Sequence, residues 1–254
     1  MLLIQLLIEK LQKECTTGKN LVMIQLFNGD CLEVMKELPD NSIDFILTDL
    51  PYGTTRSKWD NIIPYNLMWE QCHRIIKKQG NMCFFANNPF MSTLINSNIK
   101  NYKYEWVWIK NTTSMFIRAN YRPLKYTEFI VNFSLANATY TKNENKAKYY
   151  PIKTKKDKPI KVEKNKNIPK SIKHGFSANY KLNQNASNYS FPKNYLYYNL
   201  DKPHTHPTQK PIALLEYLIK TYTLENETVL DFTMGSGSTG VACVNTNRIL
   251  LELN

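Results

Sequence analysis

No two of the five cysteines (Cys15, Cys31, Cys72, Cys83 and Cys243) stand close enough in the chain to form a CxxC pair. A structural zinc site and a disulfide framework are therefore not expected, and the chain suits a reducing cytoplasm. Long apolar runs are also missing. The longest, MLLIQLLI at the start, falls far short of the roughly 20 residues that span a bilayer and runs into Glu9 and Lys10. It has no basic leading region and no small-residue cleavage site, so neither a secretory signal nor a membrane partner is expected. There is no internal repeat. Acidic residues are scarce: 21 Asp and Glu face 33 Lys and Arg, a formal net charge of +12. What is present excludes a disordered chain, since 43% of residues are hydrophobic and 12% aromatic. At 254 residues the chain can form one large domain, or a domain with a sizeable insertion, around its own core.

The positive charge is concentrated. From Thr141 to Gly175 there are twelve Lys and three acids (Glu144, Asp157, Glu163), a net of +9. Tyr140, Tyr149, Tyr150 and Phe176 flank or interrupt these lysines. Such a stretch reads either as a phosphate-neutralising surface with stacking side chains or as a solvated, lysine-biased loop.

Periodicity gives the fold class. Residues 1–22 read as a separate short helix and N-terminal extension. Strands are expected at MIQLF (23–27), SIDFILTD (42–49), NMCFFAN (81–87), YEWVWIK (104–110), TEFIVNFS (127–134), ETVLDF (227–232) and RILLELN (248–254). Helices are expected at CLEVMKEL (31–38), over 65–78, over 90–99, at IALLEYLIKTYT after Pro211, and after the glycine turn that follows the strand at 227–232. Strands alternating with helices predict an α/β fold, a mostly parallel sheet with helices on both faces. The chain divides into 23–137, an irregular insertion over 138–203, and 204–254; the insertion is too long for an ordinary loop.

Two turns carry chemistry. The first, Asp231-Phe232-Thr233-Met234-Gly235-Ser236-Gly237-Ser238-Thr239-Gly240, follows a strand and opens a helix. Its glycines let the backbone approach a ligand, and the helix start offers free N–H groups. The spacing also matches a dehydrogenase's dinucleotide fingerprint. Asp231, however, would repel a pyrophosphate and welcome a cationic amino-acid group. Glu252 closes the next strand, where an acid can accept hydrogen bonds from ribose hydroxyls. A ligand with ribose, a positive amino-acid tail and no pyrophosphate is S-adenosylmethionine.

The second turn is Thr48-Asp49-Leu50-Pro51-Tyr52-Gly53, at the carboxyl end of a buried-type strand. Asp49 offers an acceptor, Pro51 fixes the turn and Tyr52 offers a flat face. An exocyclic amine on a flat base suits this set. Its lone pair is delocalised into the ring, and an acceptor on each N–H would localise it; Asp49 and the Leu50 carbonyl can be those acceptors. A base in a duplex must be flipped out to reach such a pocket, at a cost of a few kcal/mol.

Together the two turns resemble the catalytic D-P-P-Y and cofactor F-x-G-x-G motifs of the amino-methylating DNA methyltransferases, which make N6-methyladenine or N4-methylcytosine. The catalytic turn comes first, then the basic insertion, then His206-Pro207-Thr208-Gln209-Lys210-Pro211, then the glycine turn. That order is similar to the circularly permuted β-group of the family. The resemblance covers about Met23 to Asn254. It implies a Rossmann-like S-adenosylmethionine-dependent methyltransferase sheet with the insertion as target-recognition region. It further implies that Asp49, Leu50, Pro51 and Tyr52 hold the target base. Phe232, Met234, Gly235, Ser236 and Gly237 would line the cofactor pocket, with Asp231 near the methionine amino group and Glu252 on the ribose. Thr208, Gln209 and Lys210 would sit beside the methionine end, and Asp30 near the cofactor adenine. Asp at the first position of the catalytic motif resembles the adenine-N6 subgroup; cytosine-N4 methylation is the alternative. C5-cytosine chemistry needs a Pro-Cys nucleophile, and no cysteine here follows proline. No metal is required.

Leu50 departs from the family's first proline. The family also continues past the counterpart of Glu252 into a further helix, so a catalytically impaired DNA-binding relative is a second alternative. Double-stranded DNA is the expected partner, with a restriction endonuclease and a second copy of the chain as further candidates, in the cytoplasm of a bacterium or a phage-infected cell.

Overall fold

The computed structural model describes residues 23–54, 60–113, 116–139, 145–155, 188–201 and 209–253. The extension 1–22 and most of the lysine-rich stretch lie outside the described residues. Contacts group the chain into two compact units, one of residues up to Tyr150 and from Asn194 onward, the other Pro151–Lys193.

The first unit is built on one sheet. In chain order its elements are β1 (Ile24–Phe27), α1 (Cys31–Glu37), β2 (Ile43–Thr48), α2 (Tyr65–Ile75), β3 (Ile76–Ala86), α3 (Phe90–Ser97), β4 (Tyr102–Ile109), a 3-10 turn (Phe116–Arg118) and β5 (Thr127–Phe133). The second unit contributes β6 (Thr154–Lys155) and β7 (Tyr189–Ser190), a short antiparallel pair closed by a 2.9 Å contact between the Thr154 and Ser190 hydroxyls. The sheet unit resumes with β8 (Tyr195–Tyr197), α4 (Ile212–Tyr222), β9 (Thr228–Asp231), α5 (Ser238–Asn245) and β10 (Ile249–Leu253).

The strand order is β1-β10-β9-β2-β3-β5-β4-β8. β1 through β3 are parallel neighbours, β5 runs antiparallel to both β3 and β4, and β8 is parallel to β4. Alternation along each strand sorts its side chains into two cores. Ile46, Met82, Phe84, Val131, Leu230 and Leu251 pack on one face with Met35, Met68, Trp69, Cys72 and Leu94 from α1 to α3. Phe45, Leu47, Cys83, Phe85, Ile130, Val229 and Leu250 pack on the other with Leu214, Leu218, Ile219 and Cys243 from α4 and α5. Neighbouring residues of one strand thus serve opposite helix layers. That is why β2 is buried along its whole length and carries the apolar run Phe45-Ile46-Leu47.

Two expectations shift. The helix predicted over 65–78 stops at Ile75, because Ile76 turns extended and pairs with Ile43 across β2 and β3. Residues 145–150 and 194–201, inside the predicted insertion, pack with the sheet: Tyr150 N–H donates to the Thr221 carbonyl at 2.7 Å, and β8 extends β4. Among the described residues, no helix is long and apolar enough to cross a membrane.

Candidate active site

The carboxyl ends of parallel strands are where open α/β sheets place ligands. Here a cavity of about 790 Å³ opens at the ends of β2 and β9. Asp49 to Tyr52 line it, as do Gln209, Lys210 and Asp231 to Thr239. The two turns are therefore brought together, and hydrogen bonds lock them. Thr233 Oγ1 donates to the Asp49 carbonyl at 3.0 Å, and Thr48 Oγ1 donates to Asp231 at 2.7 Å. The Asp231 carboxylate also accepts from Thr239 Oγ1 at 2.7 Å and from the Thr233 N–H at 3.2 Å. Burial pushes its carboxyl pKa up, against these hydrogen bonds.

The glycine turn has a left-handed residue at its hinge. Gly237 takes φ +74° as it caps α5, a conformation that costs other residues energy. The Met234 N–H donates to the Leu253 carbonyl at 2.8 Å, which holds the turn against the end of β10.

Asp49 is half-open to the cavity, its side chain 27% exposed. One oxygen accepts from the Tyr52 hydroxyl at 3.0 Å; the other is ion-paired with Lys210. Lys210 is also 3.4 Å from the buried Glu128, which pairs in turn with Lys110. Burial pushes the Asp49 carboxyl up, and Lys210 opposes it. Burial alone would raise Glu128 as well, yet Lys210 and Lys110 outweigh it and hold its carboxyl below the ordinary range. Lys210 loses by burial and gains more from Asp49 and Glu128, so its pKa is raised. The result is a ring in which Lys210 and Lys110 face Asp49 and Glu128. The Tyr52 hydroxyl beside it is pushed well up, first by burial and then by Asp49 and Glu128. One face of the Tyr52 ring stacks on Phe90, with centroids 4.8 Å apart.

The turn after Tyr52 is fixed by Asp60, whose carboxylate accepts from the Gly53 and Thr54 N–H groups at 2.9 Å each. Gly53 sits at φ +66°, and a Cβ there would come within 2.9 Å of Ile62.

The remaining expected site residues divide. Leu50, Pro51, Phe232, Met234, Gly235 and Ser236 line the cavity, while Thr208 lies outside the described residues. Lys210 is brought to the catalytic aspartate of the predicted set rather than only to the cofactor turn. Asp30 caps α1, accepting from the N–H groups of Leu32 at 2.9 Å and Glu33 at 3.3 Å; its neighbours Gly29 and Cys31 line the cavity, and it does not. Glu252 is not a lining residue either, but it is 1% exposed and neither carboxylate oxygen has a hydrogen-bond partner among the described residues. Burial, and then Asp231 across the strand pair, raise its carboxyl well above the ordinary range. Sequence reasoning missed Glu128, Lys110 and Asn87. Asn87 lines the cavity with a buried Oδ1 that has no partner among the described residues.

This sheet, with a glycine turn and a polar turn meeting at the carboxyl ends of its strands, has the Rossmann-like α/β fold of solved methyltransferases. The model of the DNA methylase family of N6- and N4-methyltransferases matches residues 43–251, and the chain belongs to that family. It is 28% identical over 243 residues to a DNA adenine methyltransferase, YhdJ, of Escherichia coli K12, covering 90% of this chain and 78% of the relative. It is 25% identical to the type II methyltransferase M.HpaI of Haemophilus parainfluenzae, covering 88% of this chain and 68% of the relative. Two solved structures share the fold. The M1.HpyAVI–SAM complex has a TM-score of 0.57 at 24% identity, covering 91% of this chain and 93% of that one. The cytosine-N4-specific PvuII DNA methyltransferase has a TM-score of 0.63 at 14% identity, covering 91% and 82%.

Proposed function

We propose that the chain transfers a methyl group from S-adenosylmethionine to N6 of adenine in double-stranded DNA after flipping the base out. The observation that carries the reading is the Asp49 carboxylate, ion-paired with Lys210 and lining the cavity that the glycine turn also lines. The residues present fit the cofactor. A buried carboxylate without partners, as at Glu252, needs donors, and a ribose diol supplies two. Gly235 and Gly237 would admit its backbone-hugging portion, and Asp231 would lie toward its ammonium. When bound, the cofactor supplies an electrophilic methyl on a sulfonium.

The protein's own groups do the rest. Asp49 and the Leu50 carbonyl accept the two N6 hydrogens and localise the nitrogen lone pair. One face of Tyr52 is taken by Phe90, so the base stacks on the other. Orientation supplies most of the rate, since no residue here must form a covalent intermediate. Aspartate at position 49 and the adenine-methylating relative favour adenine over cytosine.

The test is to incubate the chain with labelled S-adenosylmethionine and mixed-sequence duplex, then digest and separate the nucleosides. N6-methyladenine is expected. N4-methylcytosine alone would reverse the base assignment. Asp49→Ala should lose methyl transfer by at least about a hundredfold while still binding the cofactor; wild-type turnover in that variant would sink the catalytic role.

A further inference from the structure

The connection between β4 and β5 has a composition unlike the rest of the described surface. From Lys110 to Thr127 it carries Lys110, Arg118, Arg122 and Lys125 and no acid. Arginine is rare in this lysine-biased chain, and two of its five arginines lie here. The other described arginines are committed inside the fold: Arg74 to the Met35 and Leu38 carbonyls and Asp40, Arg248 to Thr223 and Thr246. Arg118 and Arg122 have no hydrogen-bond or ion-pair partner for their side chains among the described residues. Beside them in the chain stand apolar groups in solvent: Phe116 is 74% exposed, Ile117 93% and Tyr121 88%. Each is exposed against the hydrophobic effect, and their cluster marks a binding surface. Burial lowers the Lys125 pKa; Glu128 opposes this, and Lys110 and Arg122 add to it.

The segment is joined directly to the catalytic cavity. Its two ends pair at Ile109 and Thr127, and the Lys110 N–H donates to the Tyr126 carbonyl at 2.7 Å. Lys110 reaches Glu128 in the charged ring, and Thr112 and Thr113 line the cavity. A strip of unpaired arginine and exposed aromatic side chains rising from the wall of the cavity fits a polyanion with flat apolar groups.

We infer that residues 116–126 form a second DNA-contacting element, separate from the lysine-rich stretch, and that its partner is the duplex beside the flipped base. Arg118 and Arg122 hold phosphates, while Phe116, Ile117 and Tyr121 lie against bases or sugars opened by the flip. The inference rests on the proposed function, because it takes DNA as substrate.

The test measures binding of the wild type and two variants to a mixed-sequence duplex across a salt series, with S-adenosylmethionine present. Arg118→Gln/Arg122→Gln should bind on the order of tenfold or more weakly and should flatten the slope of log affinity against log salt by about two. Arg118→Lys/Arg122→Lys should restore most of that slope. Phe116→Ala/Ile117→Ser/Tyr121→Ala should weaken binding while leaving the slope unchanged. All variants should keep cofactor binding and thermal stability, since none of these side chains packs in the core. Unchanged affinity and slope in the glutamine variant, with an active wild type, would overturn this inference alone. Unchanged DNA binding with altered self-association would reassign the strip to a protein partner. A wild type that neither binds nor methylates DNA would instead remove the proposed function.

Discussion

Asp49 has to remain a carboxylate to accept from an amine, yet burial favours its neutral form. Lys210 supplies the opposing cation. Activity should therefore fall as pH drops through the Asp49 titration. Lys210→Met removes the cation, so the acid limb of the kcat/KM profile should move to higher pH; an unmoved limb would break the link. Glu252 poses the opposite case. Its carboxyl is raised on folding, so its favourable contribution is present at low pH and lost as pH rises through the folded value. Glu252→Gln should thus stabilise the cofactor-free protein increasingly toward neutral and alkaline pH, while weakening S-adenosylmethionine by about tenfold or more in a calorimetric titration. Asp49 stands out in the sequence because it follows a strand end in a recognisable turn, and Glu252 because it is an acid at the end of an apolar strand. Lys210 as the partner of Asp49 does not, since they are 161 residues apart and only the folded sheet makes them neighbours. Glu128 was hidden for a related reason: an acid in a β-branched run looks like an outward-facing polar residue, and here it faces two lysines in a buried pocket.

At the scale of elements, strands and helices follow their apolar spacing closely, because the buried apolar side chains of β2, β3 and β9 join one or the other of the two cores. Asp30 shows where a motif and an element compete. The resemblance places Asp30 near the cofactor adenine, and its carboxylate is engaged by the first N–H groups of α1. A short helix of seven residues depends heavily on such a cap. Asp30→Ala should therefore lower stability by about 1 kcal/mol in denaturant unfolding. If the cap is its whole contribution, cofactor affinity in the folded variant stays at the wild-type value; a tenfold loss would give Asp30 a direct part in the site. The antiparallel placement of β4 and β5 had no local signal, because strand direction is set by which connection can reach across the sheet.

For the whole molecule, the question is where the net charge acts. Composition leaves the lysine-rich stretch to read as a phosphate-neutralising surface or as a solvated loop. Lys148 contradicts the first of these for its own position: it is 16% exposed and lies 2.7 Å from Asp44 and 2.5 Å from Glu227. It ties the segment after β5 to the opposite end of β2 from the cavity, where Lys77 also reaches Asp44 at 2.7 Å. Burial would raise the Asp44 carboxyl, but Lys148 and Lys77 hold it below the ordinary range. Its contribution is thus present above the unfolded value and lost as pH falls through the folded one. Lys148→Gln leaves two acids facing each other with one partly exposed lysine. It should cost about 2 kcal/mol at neutral pH, shrinking as Asp44 protonates in acid. Because Lys148 spends its charge inside the fold, the same variant should bind duplex DNA with an unchanged salt slope. A slope reduced by about one would return Lys148 to the phosphate-binding set. Composition could not make this distinction, since a lysine reads the same whether its ammonium meets a buried aspartate or a phosphate.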